Sequence, residues 1–231
     1  MVMIMEYLLN GYTLDTSGGA FPLSTDSMLL AAFVHLPKNA QVLDLGAGCG
    51  TLGTLLCAVQ PACSVTGVEL SETAHAAALD NIARNGLDSR MNSICADLRT
   101  VSLTPGSFDV CVSNPPYFSG GPASRSNPLA RREDCCCPAD LFSAASKFLK
   151  FGGALFLVHK PERLAELIAA ASAQKLEAKR LALVRHREGG STALILLQFR
   201  KGAKPGLVWE DWNLHHADGI PTDLYRNIYH I

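Results

Sequence analysis

The chain has 231 residues, 48% of them hydrophobic, with 20 Lys and Arg against 21 Asp and Glu, a length and balance that suit one large α/β domain with a well-buried core and exclude an intrinsically disordered chain. No apolar run approaches the roughly 18 to 20 residues of a membrane span, and Met1-Val2-Met3-Ile4-Met5 runs into Glu6 and Asn10 without a basic start or a small-residue cleavage site, so the expected compartment is the cytoplasm. The net charge of −1 hides an asymmetry, four Lys/Arg against ten Asp/Glu up to Phe118 and sixteen against eleven after it; solvated surface charge is the commoner cause of such an imbalance, but a basic face is also what RNA would meet.

The opening carries a weak signal, with a short strand expected near Tyr12-Thr13-Leu14. After Phe21-Pro22-Leu23, any of Ser24, Thr25 or Asp26 suits the cap of a helix whose apolar residues Met28, Leu29, Leu30, Ala32, Phe33 and Val34 fall at helical spacing. Gln41 to Leu45 reads as a short buried strand, and Gly46-Ala47-Gly48-Cys49-Gly50 turns it into a helix from about Thr51. Glycines at alternate positions let a ligand approach the backbone. A second strand, Val65 to Glu69, ends in an acid about 20 residues past the glycines, the spacing of a carboxylate that accepts from ribose hydroxyls.

Charge selects among nucleotide-like ligands. A dinucleotide would place its pyrophosphate at the glycine turn, where Asp44 would repel it, and Thr51 breaks the Gly-x-Gly-x-x-Gly spacing. S-adenosylmethionine, which carries an ammonium and a sulfonium, is attracted by Asp44, Glu69 and Asp97. Glu72 to Gly86 reads as an amphipathic helix stopped by Asn85-Gly86, and Met91 to Ala96 as a third strand closed by Asp97, which either accepts from an adenine amino group or caps the following turn.

The fourth strand, Phe108 to Ser113, has the valine-rich pattern of burial on both faces and stops at Asn114-Pro115-Pro116-Tyr117. Two prolines stiffen that turn, and the first keeps Asn114 out of the helical region. With two N–H groups missing, the turn offers acceptors, the Asn114 side-chain oxygen and the Asn114 and Pro115 carbonyls, which suits a donor such as an exocyclic amino group. Tyr117 and Phe118 supply faces on which a nucleobase can stack.

From Ser119 to Pro138 the composition turns to Gly, Pro, Ser, Arg and Cys, a long loop with Arg125, Arg131 and Arg132 expected to grip substrate. Leu141 to Leu149 is expected to be helical, Gly152-Gly153 to break that helix, and Ala154 to His159 to form a fifth strand. Pro161 opens a further helix to about Ala171. Strands from Ala178 to His186 and from Ser191 to Phe199 are joined by the turn Glu188-Gly189-Gly190. Lys160, Arg163, Arg185 and Arg187 lie near these strand ends as further candidate RNA contacts. Five βα units followed by a hairpin predict a parallel sheet finished by one antiparallel strand. The tail holds Trp209, Trp212, His215 and His216, given no chemistry, and a short helix near Tyr225. Among the eight cysteines no C-x-x-C pair occurs, and the neighbouring side chains of Cys135, Cys136 and Cys137 diverge too far to share a metal, so free thiols are expected.

With these residues in place, the chain resembles the class I S-adenosylmethionine-dependent methyltransferases, in which Asp-Leu-Gly-Ala-Gly-Cys-Gly (44–50) with Asn-Pro-Pro-Tyr (114–117) is the signature of amino-group methylation. It is more closely similar to bacterial enzymes that methylate N6 of an anticodon-loop adenine in valine tRNA, through Phe-Pro-Leu-Ser-Thr-Asp-Ser-Met-Leu-Leu (21–30), Ala-Arg-Arg-Glu (130–133) and His-Lys-Pro-Glu-Arg-Leu (159–164). The resemblance implies a Rossmann-like α/β fold, a seven-stranded, mostly parallel sheet with one antiparallel strand and helices on both faces. Residues 1–40 would lead into the cofactor site, 41–204 form the methyltransferase domain and 205–231 pack on it as a tail. It implies Asp44, Gly46, Gly48, Gly50, Glu69, Asp97 and Asn114 around S-adenosylmethionine, Thr25 and Asp26 near its methionine end, and Asn114, Pro115, Pro116 and Tyr117 at the target amine. The expected partner is RNA, a tRNA first, with no metal. Enzymes that methylate the glutamine amide of release factors share the turn but carry a helical domain that the 40 residues before Gln41 cannot supply. Guanine-N2 rRNA methyltransferases share it too, with a duplicated domain not found here. A cofactor-binding module without catalysis would have lost Asn114 or the glycines.

Overall fold

The computed structural model describes residues 5–8, 11–16, 23–115 and 137–229. A small antiparallel pair, β1 (Met5–Tyr7) and β2 (Thr13–Asp15), precedes helix α1 (Thr25–Phe33). Two βα units follow, β3 (Gln41–Leu45) with α2 (Thr51–Val59) and β4 (Ser64–Glu69) with α3 (Glu72–Arg84), and then β5 (Met91–Cys95), from which the chain returns to β6 (Phe108–Ser113) without the helix that five βα units would have required. The second half runs α4 (Pro138–Phe148), β7 (Leu149–His159), a 3-10 turn at Pro161–Arg163, α5 (Leu164–Ala173), β8 (Leu176–Arg185), β9 (Thr192–Lys201), β10 (Val208–Asn213) and α6 (Asp223–Tyr229).

The main sheet has eight strands in the order β5-β4-β3-β6-β7-β9-β8-β10. Only β9 runs antiparallel to its neighbours. Strands of the central sheet are buried on both faces because helices cover both. Along β7, Ala154, Phe156 and Val158 enter one core with residues of α1, α2 and α3, while Leu155 and Leu157 enter the other with α4 and α5. The chain starts the sheet at β3, builds β4 and β5 to one side, then crosses back to β6 on the other. This reversal opens a crevice beyond the carboxyl ends of β3 and β6, where open α/β sheets hold ligands.

Two departures from the sequence reading have clear causes. Gly152 and Gly153 do not separate a helix from a strand; they lie inside β7, which begins at Leu149. Gly152 takes φ +79° and the pairing with β6 shifts register between Phe108 and Val110, so the glycines form an irregularity in a longer strand. The tail adds an eighth strand, β10, parallel to β8. Its sequence alternates weakly, and its placement comes from side chains: Glu210 takes the Arg180 guanidinium at 2.7 Å and the Trp212 indole N–H at 3.1 Å, while Arg180 lies 4.2 Å over the Phe33 ring, whose edge also meets Trp212. Among the described residues no helix is long and apolar enough to cross a membrane.

The β1–β2 pair docks through two asparagines of α3 that imitate a neighbouring strand. Asn85 Oδ1 accepts from the Thr13 N–H and its Nδ2 donates to the Thr13 carbonyl, at 2.8 and 2.7 Å. Asn81, fully buried, does the same for Asp15 at 2.8 and 3.2 Å and also donates to the Cys49 carbonyl at 3.1 Å, reaching the glycine turn. Asn81→Ala would leave the buried Cys49 carbonyl and the half-buried backbone groups of Asp15 without partners, so we expect a loss of about 2 to 4 kcal/mol in urea unfolding. Asn85→Ala, at a more exposed position, should cost about 1 kcal/mol.

Candidate active site

The turn after β3 leans across the end of β4. Gly46 and Ala47 donate their N–H groups to the Val68 carbonyl at 2.9 and 3.1 Å. Gly67 on β4 makes room, since a Cβ there would lie 2.9 Å from that of Ala47. Gly46 and Gly48 take φ +78° and +57°, and a Cβ at either would meet nothing within 4 Å, so the outer face of the turn opens onto free space.

Two carboxylates underlie this turn. Glu69, closing β4, accepts from the Gly48 N–H at 2.9 Å with one oxygen and from the Ser71 N–H at 2.8 Å with the other. A carboxylate has about four lone-pair positions, so two remain for a ligand. Asp44 is 1% exposed, and among the described residues its Oδ2 has no hydrogen-bond partner. Burial, reinforced by the Glu69 charge and opposed by the Gly53 N–H of α2, pushes its pKa up to about 7. Among the described residues no cation pairs with this acid, and an ammonium or sulfonium would supply one.

Asp44 stands opposite Val112 in the β3–β6 register, and the Ser113 hydroxyl donates to the Leu45 carbonyl at 2.7 Å, tying the two strand ends together. Asn114 therefore emerges beside the glycine turn. Its Nδ2 donates to Ser27 Oγ at 2.9 Å, so the start of α1 closes over it. Ser24 is the residue that caps α1, its Oγ accepting from the Ser27 N–H at 3.2 Å. Thr25 and Asp26 sit in the first turn of α1. Burial raises the pKa of Asp26 while nearby Lys160 and His186 counter it. α6 packs against α1, and Thr25 lies close enough to the Tyr229 hydroxyl to favour its ionised form, so α6 reaches the same rim.

The residues named from sequence thus separate into groups. Thr25, Asp26, Asp44, Gly46, Gly48, Gly50, Glu69, Asn114 and Pro115 gather at the carboxyl edge around β3, β4 and β6. Asp97 closes β5 one strand further out, and its carboxylate is engaged by Arg99, which holds its pKa below the usual carboxylate range. Lys160, Arg185 and Arg187 follow the carboxyl ends of β7 and β8, on the same edge. Of the candidate RNA contacts, Arg163 pairs with Glu166 at 2.6 Å and Arg185 with Asp211. Pro116, Tyr117, Arg125, Arg131 and Arg132 lie outside the described residues, as do Cys135 and Cys136. Cys49, Cys57, Cys63, Cys95, Cys111 and Cys137 are free thiols. Sequence reasoning missed Ser27, His186, Tyr229 and Asn81. Ser27 sits next to the residues weighed as caps, but nothing local signals its reach to a residue 87 positions away.

Residues 17–180 match the family model described as methyltransferase small domain. A protein of Aeromonas hydrophila named tRNA1(Val) (adenine(37)-N6)-methyltransferase is 30% identical over 93% of this chain and 91% of its own length. One of the same name from Bacteroides fragilis is 32% identical over 78% of this chain and 77% of its own. Among solved structures, one described as a predicted O-methyltransferase from Agrobacterium tumefaciens superposes with a TM-score of 0.75 at 23% identity, covering 89% of this chain and 96% of that one, a likeness of fold. The match across most of the chain, on a fold whose glycine turn and Asn114 meet at one edge, places it in the methyltransferase small-domain family, with the tRNA1(Val) (adenine(37)-N6)-methyltransferases.

Proposed function

We propose that this chain transfers the methyl group of S-adenosylmethionine to N6 of an adenine in the anticodon loop of a tRNA. The observation that carries the reading is the β3–β6 register, which sets an acid-lined glycine turn beside Asn114. The residues present fit the cofactor. Open space at Gly46 and Gly48 admits a ligand close to backbone, Glu69 keeps lone pairs for a ribose diol, and the unpartnered Asp44 oxygen with Asp26 favours the cationic methionine end. When bound, S-adenosylmethionine supplies an electrophilic methyl group on sulfur.

The chain's own contribution is orientation. Asn114 Oδ1 and the Pro115 carbonyl accept the hydrogens of the target amine, which turns the nitrogen lone pair toward the methyl carbon, and Tyr117 stacks on the base. Fixing that geometry lowers the barrier without a strong base. An anticodon-loop base is already partly unstacked, so presenting it costs less than opening a duplex. The relatives' names support tRNA as the substrate, and the basic groups Lys160 and Arg187 on the working edge support contact with phosphates.

With Asp44 titrating near 7 in the free protein, a bound cation should drive it to the carboxylate, so binding releases a proton and affinity falls roughly tenfold per pH unit below 7. Calorimetry in buffers of different ionisation enthalpy reads the released proton, and Asp44→Asn should abolish both effects. Folding shows the opposite trend. The folded form holds this proton more tightly than the unfolded one, so the free protein loses up to about 4 kcal/mol as pH rises from the ordinary carboxylate range through 7.

Asn114→Ala should reduce turnover at least a hundredfold while S-adenosylmethionine affinity stays within about twofold, because the lost contacts are to the amine. Mass spectrometry of nucleosides from tRNA methylated by the wild type should show N6-methyladenosine; N2-methylguanosine, or label in protein only, overturns the substrate. Arg187→Ala should weaken tRNA binding and lower its salt slope by about one. Arg185→Ala should do less, since Asp211 already neutralises that guanidinium.

A further inference from the structure

We propose that Ser27 is a positioning residue for methyl transfer, whose hydroxyl fixes which end of the Asn114 amide faces the incoming amine. The inference rests on the role given above to Asn114. Its backbone leaves little freedom: Ser113 is pinned to Leu45 at 2.7 Å, and Pro115 restricts the residue before it. With the side chain directed at Ser27, what remains is rotation of the amide about its last side-chain bond, a broad, roughly two-fold torsion whose two settings exchange a carbonyl for an NH2. The difference is chemically decisive. An oxygen facing the target accepts its N–H, whereas an NH2 facing it sets donor against donor.

The hydrogen bonds around Ser27 choose between the settings. Ser24 Oγ accepts the Ser27 N–H at 3.2 Å as the cap of α1 and sends its own proton to Ser27 Oγ at 3.3 Å. Ser27 Oγ, on a residue 6% exposed, accepts from Ser24 with one lone pair, and Asn114 meets the other with Nδ2 at 2.9 Å. Because the amide is planar, Oδ1 then lies on the side away from α1. A helix cap is in this way joined through two hydroxyls to the group that orients the substrate, and Ser27 acts on the reaction only through Asn114.

The test uses the full chain, an unmodified valine tRNA transcript and labelled S-adenosylmethionine in single-turnover assays. Ser27→Ala keeps the N–H that Ser24 caps but removes the acceptor. It should slow methyl transfer roughly 10- to 100-fold, with cofactor affinity and Tm close to wild type. Ser27→Cys, of similar size and a weaker hydrogen-bonding group, should fall between. In an Asn114→Ala background, Ser27→Ala should cause no additional loss, since the residue it orients is gone. Wild-type rates for Ser27→Ala beside an inactive Asn114→Ala overturn the role of Ser27 and leave that of Asn114 standing. A rate loss matched by losses of cofactor affinity or Tm, or additive losses in the double variant, makes Ser27 a packing residue and also overturns it. An active Asn114→Ala overturns the reading beneath both.

Discussion

Asp44 sits where no ordinary core residue would be acidic, at the penultimate position of β3 before the glycine turn, 1% exposed, with strands paired on both sides. Its neighbours in the strand, Leu43 and Leu45, enter the opposite core, so alternation turns the carboxylate toward the start of α2. There it meets the Gly53 N–H and the field of Glu69, and one oxygen is left without a partner among the described residues. Burying an acid in this way costs stability in the free protein, and the cost is offset only when a cation arrives. The glycine turn above it is open on its outer face and tied down on its inner face through the Val68 carbonyl and the Glu69 carboxylate. Rigid backbone thus surrounds a site that is unsatisfied in charge, which is how a fold selects a cationic nucleoside over an anionic one.

The second half of the site depends on parallel pairing. Because β3 and β6 are adjacent although 62 residues and two other strands separate them in the chain, the turn that carries Asn114 opens beside the turn that carries the glycines. Cofactor and substrate groups can then be built on separate segments and still meet. The helix that precedes the sheet, α1, bridges them: its cap contacts Asn114 through Ser27, and its first turn places Asp26 near Lys160 and His186. Chain ends contribute as well. β2 is stitched to α3 by Asn81 and Asn85, Asn81 continuing to the glycine turn, and α6 reaches Thr25 through Tyr229. Both termini therefore bear on the working edge through polar contacts.

Most strands and helices are legible in the sequence because their signals are local. β3, α2 and β5 begin where apolar runs and turn residues say they should, and the caps of α1 and α3 are serines beside a helical pattern. The longer reach of β7 is hidden because glycines, ordinarily breakers, here permit an irregular strand edge. β10 is hidden because its pattern is weak and its place is secured by Arg180, Glu210 and Trp212, residues far apart in the chain.

The sequence by itself determined the order of βα units, the glycine turn with its two acids, and the acceptor-rich turn after β6. Each of these is a short-range consequence of backbone sterics, periodicity and charge. Only the tertiary structure decided that the Asp44 Oδ2 has no partner among the described residues, that Arg163 and Arg185 are already paired while Lys160 and His186 lie near Asp26, and that Ser27 rather than a neighbour touches Asn114. Those outcomes depend on hydrogen bonds and fields between segments brought together by the sheet, and no local pattern encodes the distance or direction on which they turn.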